Sequence, residues 1–178
     1  MSREYIYCPF CASQLGIKNE EWKKFKYCDD CKWTYYPTPH IAVAAVIIKD
    51  GKVLMVKRNR EPFRDTWMFP AGFLEFGEHP EDTLKRELSE ETNLTIVSWN
   101  LLKVLKSSAD PRSPEHLVLF YRTEATGEIS NDDTDENLDV QWKSLKEQID
   151  IGFPHHILIF DEIRQIESSS QQGELIDK

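Results

Sequence analysis

Glu87, Glu90 and Glu91 stand at i, i+3 and i+4 in a stretch that reads as helix, which puts three carboxylates on one face of its last turns. The helix is predicted over about residues 80–92, because Pro80 suits the first helical position and Glu81 and Asp82 suit the first turn. Acids are unwelcome at the other end. Each like-charge pair at these spacings costs roughly 0.2–0.5 kcal/mol, and negative charge beside the C-terminal carbonyls costs about 0.3–1 kcal/mol per group. A sequence that accepts this cost offers a cluster of hard oxygen ligands, which is what Mg²⁺ or Mn²⁺ takes. The competing reading is a solvated acidic face, common in Glu-rich helices.

A second set of ligand-type residues lies near the N-terminus. Cys8-Pro-Phe-Cys11 and Cys28-Asp-Asp-Cys31 are two C-x₂-C pairs with 16 residues between them, a spacing suited to four thiolates around one Zn²⁺. Iron in the same ligand set is the main alternative, and two disulfides in a secreted chain is the other. Four thiolates leave no open coordination position, so the metal is expected to be structural. The pairs resemble a zinc ribbon, with Ala12 and Lys32 where such knuckles usually carry glycine, so some alteration of the turns is expected. A segment of this length has too little core to fold unaided, and the metal is expected to supply much of its stability.

The surroundings of the glutamates strengthen the metal reading. Gly72, Glu78, Arg86, Glu87, Leu88, Glu90, Glu91 and Leu94 match the Nudix box at its spacing, so the stretch resembles that of Nudix hydrolases. One position departs: Asn93 replaces the family's second glycine. That residue closes the helix in a left-handed conformation, for which Asn is the next-best choice. The resemblance implies an α/β fold, an α/β/α sandwich with a mixed sheet, here preceded by the small zinc ribbon. It implies Glu87 and Glu91 as the principal ligands of Mg²⁺ (or Mn²⁺), with Glu90 assisting and the Ala71 carbonyl completing the sphere. It also implies Glu78 pairing with Arg86 to hold the helix, beside the structural Gly72. Leu84 and Leu88 are expected in the core.

These residues need elements to carry them. The ribbon is expected over residues 1–37, ending near Tyr35-Tyr-Pro37-Thr-Pro39, where two prolines stiffen the connection. A strand is predicted over Ile41–Ile48, a turn at Asp50-Gly51, and a returning strand over Lys52–Arg58. After the helix, Thr95–Ser107 and His116–Ala125 alternate as strands, and Leu138–Trp142 makes another. Ile157, Phe160, Ile163 and Ile166 predict an amphipathic helix over Pro154–Glu167. The catalytic domain is thus expected over 38–167, and residues 168–178 read as a polar, disordered tail.

Hydrolysis of a diphosphate needs neutralised phosphate oxygens and an activated water. Glu136 is the choice for base or further metal ligand, because its acidic segment leads into a strand. Glu115 is the rival, and Glu90 is the choice if neither acts. Lys57, Arg58, Arg60 and Arg64 are the cations that could meet phosphates, and Trp67, Phe69 and Phe73 the rings that could stack on a base. The five histidines, His40, His79, His116, His155 and His156, show no ligand spacing and are given no catalytic role.

The substrate implied is a nucleoside diphosphate joined to another moiety, with ADP-ribose or FAD first, NADH second and an oxidised nucleoside triphosphate third. The ribbon-first layout resembles NADH and FAD pyrophosphatases, as does the run Gly152-Phe-Pro-His-His156. NADH pyrophosphatases carry a Ser-Gln-Pro-Trp motif that is missing between Leu94 and Leu117, which counts against NADH. Pro111 lies close to where ADP-ribose hydrolases have a proline. A nucleotide-sensing module is the reading from another class, but such modules lose box carboxylates and this chain keeps all four.

The 178 residues suit one main domain with an appendage. A formal net charge of −9 argues against nonspecific nucleic-acid or anionic-membrane binding. No apolar run approaches membrane length and Met1-Ser-Arg-Glu-Tyr5 is no signal peptide, so a cytoplasmic protein is expected. The ribbon is available for homodimer formation, substrate selection or stability alone.

Overall fold

The computed structural model describes residues 5–173 except 22, 112, 114 and 133, with side chains to residue 169. The chain falls into two compact units, Met1–Pro39 and His40–Lys178.

The first unit is an antiparallel sheet of β1 (Gly16–Glu20), β2 (Lys23–Tyr27) and β3 (Thr34–Tyr35), in the order β1-β2-β3. Its two cysteine knuckles share one backbone pattern. The Cys8 N–H donates to the Ser13 carbonyl and the Cys28 N–H to the Trp33 carbonyl, each at 2.8 Å. Ala12 and Lys32 occupy the same place in the two turns, with φ of 59° and 60°. The expected alteration is therefore absent: residues with a Cβ adopt the left-handed conformation a glycine would take, at a cost of roughly 1–2 kcal/mol each. Cys8, Leu15 and Cys28 are buried, with Trp33 packed on them. That is a very small core.

In the second unit the predicted strand Ile41–Ile48 divides at Ile47. β4 (His40–Val46) lies in one sheet, ordered β8-β4-β10-β9, and β5 (Ile48–Lys49) in the other, ordered β11-β6-β5. The remaining strands are β6 (Lys52–Arg58), β7 (Trp67–Met68), β8 (Ala71–Phe73), β9 (Thr95–Ser107), β10 (His116–Thr126) and β11 (Asn137–Ser144). β4 runs parallel to β10 and antiparallel to β8, so the sheet is mixed. Asp50 and Gly51 both have positive φ, as a tight hairpin between β5 and β6 requires.

β4 and β6 read as unbroken apolar runs because both of their faces are covered. Ala42, Ala44, Val46, Val53 and Met55 pack with Ile159, Phe160 and Ile163 of α2 (Pro154–Gly173). Val43, Ala45, Leu54 and Val56 pack with Leu84 and Leu88 of α1 (Pro80–Thr92). Helix, sheet, helix is thus the order of layers, the α/β/α sandwich expected.

α2 differs from the expectation in two ways. Its buried stripe is Ile159, Phe160 and Ile163, while Ile157 and Ile166 are 40% and 60% exposed, because the helix is rotated to bury His155 and His156 in its first turn. It also continues to Gly173, so residues 168–173 of the expected tail are helical, while 174–178, like Met1–Glu4 of the expected ribbon, lie outside the described residues. No helix among the described residues is long and apolar enough to cross a membrane.

α1 ends as the sequence requires. Asn93 has φ 60° and ψ 16°, and its N–H donates to the Ser89 carbonyl at 2.9 Å. Asn93→Ala is expected to cost about 1 kcal/mol, while Asn93→Gly stays within a few tenths of wild type. Urea unfolding midpoints at constant m-value check this; equal losses for both would mean that the Asn side chain, rather than the backbone angle, matters.

Candidate active site

The acidic face of α1 meets β8 and the loop between them. Gly72 of β8 lets this happen: a Cβ built there would lie 1.9 Å from Cδ of Glu87. Any other residue would evict the carboxylate.

Arg86 organises the loop. Its Nε and Nη2 donate to the two oxygens of Glu78 at 2.8 and 2.9 Å, a forked pair that fixes direction as well as distance. Nη1 reaches Glu87 at 2.7 Å and Glu90 at 3.2 Å, and Nη2 also donates to the Phe73 carbonyl at 3.3 Å. The Arg86 bonds, then those from Thr83 and the Glu75 N–H, hold the Glu78 carboxyl well below the usual carboxylate range.

Glu91 is held without a cation. It is 3% exposed and accepts from the Ala71 N–H at 2.8 Å and from Nδ2 of Asn137 at 3.2 Å. No positive side chain pairs with it among the described residues. Burial pushes its carboxyl up to about 8, with the charges of Glu87 and Glu136 adding to the effect and the two hydrogen bonds opposing it. Burial likewise raises Glu87, against the pull of Arg86.

Glu136 joins this wall from the far end of the chain. The Asn59 N–H donates to its carbonyl at 2.7 Å, Nδ2 of Asn59 donates to the Thr134 carbonyl at 2.9 Å, and Arg60 pairs with its carboxylate. The loop before β11 is thereby fastened to the end of β6. Glu115 is elsewhere: it pairs with Lys106 at 2.6 Å, both are exposed, and it does not line the cavity. Glu90 and Glu136 therefore remain as base candidates.

These groups line a cavity of about 670 Å³, within the size range of small-molecule sites. Arg58 and Arg60 also line it. Arg58 is mostly buried, with Nε donating to the Pro62 carbonyl at 2.9 Å and its guanidinium 5.0 Å over the Phe153 ring. Arg64 is exposed and does not line the cavity, and Lys57 pairs with Asp65 at 3.6 Å instead. Of the three candidate stacking rings only Phe73 faces the cavity; Phe69 is wholly buried in the core, and Lys143 sits 4.1 Å over the ring of Trp67. Four histidines given no role by sequence, His40, His116, His155 and His156, share the wall with Asn137 and Phe153. The doublet in the first turn of α2 was visible, but its partners come from β4 and β10, so no local spacing could reveal the group.

In the first unit the four cysteine ligand atoms all lie within 4.8 Å of one another, with Sγ separations of 3.4 Å (Cys8–Cys31), 3.5 Å (Cys11–Cys28) and 3.7 Å (Cys11–Cys31). No disulfide joins them. These separations approach the roughly 3.8 Å between sulfurs at the corners of a tetrahedron with metal–sulfur bonds of about 2.3 Å, so the group can hold a metal ion.

Residues 38–159 match the NUDIX domain, and the chain belongs to that family. It is a hydrolase of the family. A protein of Methanocaldococcus jannaschii called ADP-ribose pyrophosphatase is 34% identical over 86% of this chain and 90% of its own. A NAD-capped RNA hydrolase, NudC, of Vibrio parahaemolyticus is 26% identical over 83% of this chain, which spans about half (54%) of that relative. Among solved structures, a NUDIX hydrolase from Nitrosomonas europaea superposes with a TM-score of 0.73 at 22% identity, over 95% of this chain and 94% of that one. The NUDIX domain of Shewanella oneidensis NrtR, solved with ADP ribose, gives 0.64 at 24% identity over 78% and 92%. At these identities the structures establish the fold.

A carboxyl raised on folding binds more protons in the native state than unfolded, so it lowers stability as pH rises through the interval. For metal-free protein, Glu91 is expected to erode stability between about pH 4.5 and about pH 8. Glu91→Gln removes that slope and is expected to be the more stable protein at pH 8, by on the order of 3 kcal/mol, with the difference closing below pH 4.5. Urea unfolding in chelator across this range measures it; a difference independent of pH would refute the assignment.

Proposed function

We propose that the protein hydrolyses the diphosphate bond of a nucleoside diphosphate joined to another moiety, with ADP-ribose or FAD favoured, using Mg²⁺ or Mn²⁺. The observation that carries this reading is Glu91, a buried carboxylate beside Glu87, Glu90 and Glu136 with no cation paired to it among the described residues. Such a group is costly unless a cation completes it. The wall therefore fits a divalent ion, which Glu87 and Glu91 would hold, with Glu90 and the Ala71 carbonyl assisting. When bound, the ion neutralises phosphate oxygens and promotes attack by water.

The chain's own residues supply the rest. Arg86, locked by Glu78, fixes the direction of Glu87 and of the α1 end. Arg60 and Arg58 border the cavity where phosphate oxygens would lie, and Arg60 also holds Glu136. Glu136 accepts the proton of the attacking water as the new phosphorus–oxygen bond forms and the anhydride bond breaks, releasing a nucleoside monophosphate and a phosphorylated remainder. ADP-ribose is supported by the name and 34% identity of the Methanocaldococcus jannaschii relative, and a NAD-capped RNA by the name of the NudC relatives.

In the same reading, Cys8, Cys11, Cys28 and Cys31 hold one structural Zn²⁺ in a ribbon of residues 1–37, apart from the catalytic domain at 38–167. Four metal-bound thiolates suit a reducing compartment, hence a cytoplasmic enzyme.

With Mg²⁺, ADP-ribose is expected to give AMP and ribose 5-phosphate, and FAD to give AMP and FMN, identified by mass. Glu87→Gln and Glu91→Gln are each expected to lose at least about 10²-fold in turnover. Glu81→Gln, at the other end of α1, stays within a few-fold. Equal losses at both ends would make the effect structural, and cleavage outside the diphosphate would overturn the reaction.

Elemental analysis of protein purified without added metal is expected to find about one equivalent of zinc. Cys28→Ser should lose it while unfolding the ribbon, seen by proteolysis within residues 1–37. Four reactive thiols and no zinc or iron would remove the metal from this account.

A further inference from the structure

Beyond the carboxylates, the cavity wall is built from imidazoles and aromatic rings. Three of its histidines are tied by their own protein partners. Nδ1 of His156 accepts the Phe69 N–H at 3.1 Å, Nδ1 of His116 donates to the Ser113 carbonyl at 2.7 Å, and Nδ1 of His40 shares a 2.9 Å bond with the Ser113 hydroxyl.

His155 is different. It is 8% exposed and lines the cavity, yet neither ring nitrogen has a hydrogen-bond partner among the described residues. Its ring is wedged by Phe153 at 5.3 Å, His116 at 5.9 Å and Phe120 at 6.1 Å. It sits in the first turn of α2, whose approach is tied to β7 by the Gly152 N–H donating to the Trp67 carbonyl at 3.2 Å. The imidazole is thus packed among rings and mostly buried, and its nitrogens have no hydrogen-bond partner among the described residues. A mostly buried imidazole whose nitrogens meet no protein group, and which borders a cavity, is placed to meet a ligand there.

The chemistry of that ligand follows from what surrounds the ring. Burial, with His116 adding, lowers the imidazole to about 4, so it is uncharged at neutral pH and presents one N–H and one lone pair. Arg58, the cation beside Phe153, already spends its Nε on the Pro62 carbonyl and its guanidinium face on the ring. The uncharged ring itself offers an anion little. A hydroxyl both donates and accepts, so a sugar hydroxyl can meet whichever ring nitrogen, N–H or lone pair, faces the cavity. Phe73 joins the two walls: its carbonyl accepts from Arg86 and its ring stands 5.5 Å from His116. A substrate with its diphosphate at the carboxylates thus extends past Phe73 toward His155.

We infer that His155 is a specificity-determining residue that hydrogen-bonds the hydroxyls of a sugar attached to the distal phosphate, such as the terminal ribose of ADP-ribose. This rests on the diphosphate-hydrolase reading above. The test compares kcat/KM for ADP-ribose and for the n-pentyl ester of ADP, which keeps the adenosine and the diphosphate but has no hydroxyl on its distal group. His155→Phe is expected to lose about 10–100-fold on ADP-ribose and less than about 3-fold on the pentyl ester. His155→Leu gives the same readout should the larger ring not be accommodated. His155→Gln, which keeps a donor and an acceptor, is expected to retain part of the preference for ADP-ribose. Parallel losses on both substrates, or no loss on either, would overturn the inference while leaving the hydrolase reading in place. Wild-type protein that turned over neither would sink the hydrolase reading and this inference with it.

Discussion

Arg86 is the counter-charge on which the carboxylate wall depends. Four acids converge where α1, β8 and the loop before β11 meet, and at least two are removed from water. Left to themselves they would repel one another and open the site. The guanidinium is planar and rigid, so its fork onto Glu78 sets its plane, and the nitrogen left over then falls on Glu87 and Glu90. Lysine could supply the charge but not the plane. Glu78 lies outside the helix, so the pair also staples the loop after β8 to α1.

That staple explains how a costly helix is tolerated. α1 has no basic residue in its last turn and no side-chain cap at its start, where His79 serves as N-cap. Its stability comes from Thr83, Leu84, Leu88 and Thr92 buried against the sheet, as is usual for short helices. The apolar stripe and the acidic stripe thus occupy opposite duties on one helix. Gly72 belongs to the same arrangement, since the space where its side chain would stand is filled by the Glu87 carboxylate. One glycine, one arginine and one outlying glutamate convert an unfavourable run of acids into a fixed site.

What could be read from sequence was what is local. α1 was legible because its start signal, its acids and its closing Asn93 lie within a few turns of each other. The β5–β6 hairpin was legible because Asp50-Gly51 carries its backbone angles in its residue types. β7 and β8 are two and three residues long, too short to show any period. The division of the β4 run at Ile47 was hidden because burial on both faces erases the alternation that would mark a change of sheet. For α2, apolar spacing selected Ile157 and Ile166 over Ile159, since nothing in the pattern said that His155 and His156 would be buried.

The two walls of the cavity differ in the same respect. The carboxylate wall comes mostly from residues 72–91, so its chemistry is written in one continuous stretch and travels with it. The imidazole wall is assembled from the first residues of β4 and β10 and the first turn of α2, residues that meet only once the sheet has formed. A change in any one of them alters the shape of the cavity beside the acids without touching the acids themselves. Arg58 marks the boundary: it borders the same cavity as the acids, yet its guanidinium lies on Phe153, one residue before the proline that starts α2. The acids and the imidazoles are therefore carried by different elements of one fold, and both walls meet aromatic rings: Phe73 packs on His40 and His116, and Phe153 on His155 and Arg58.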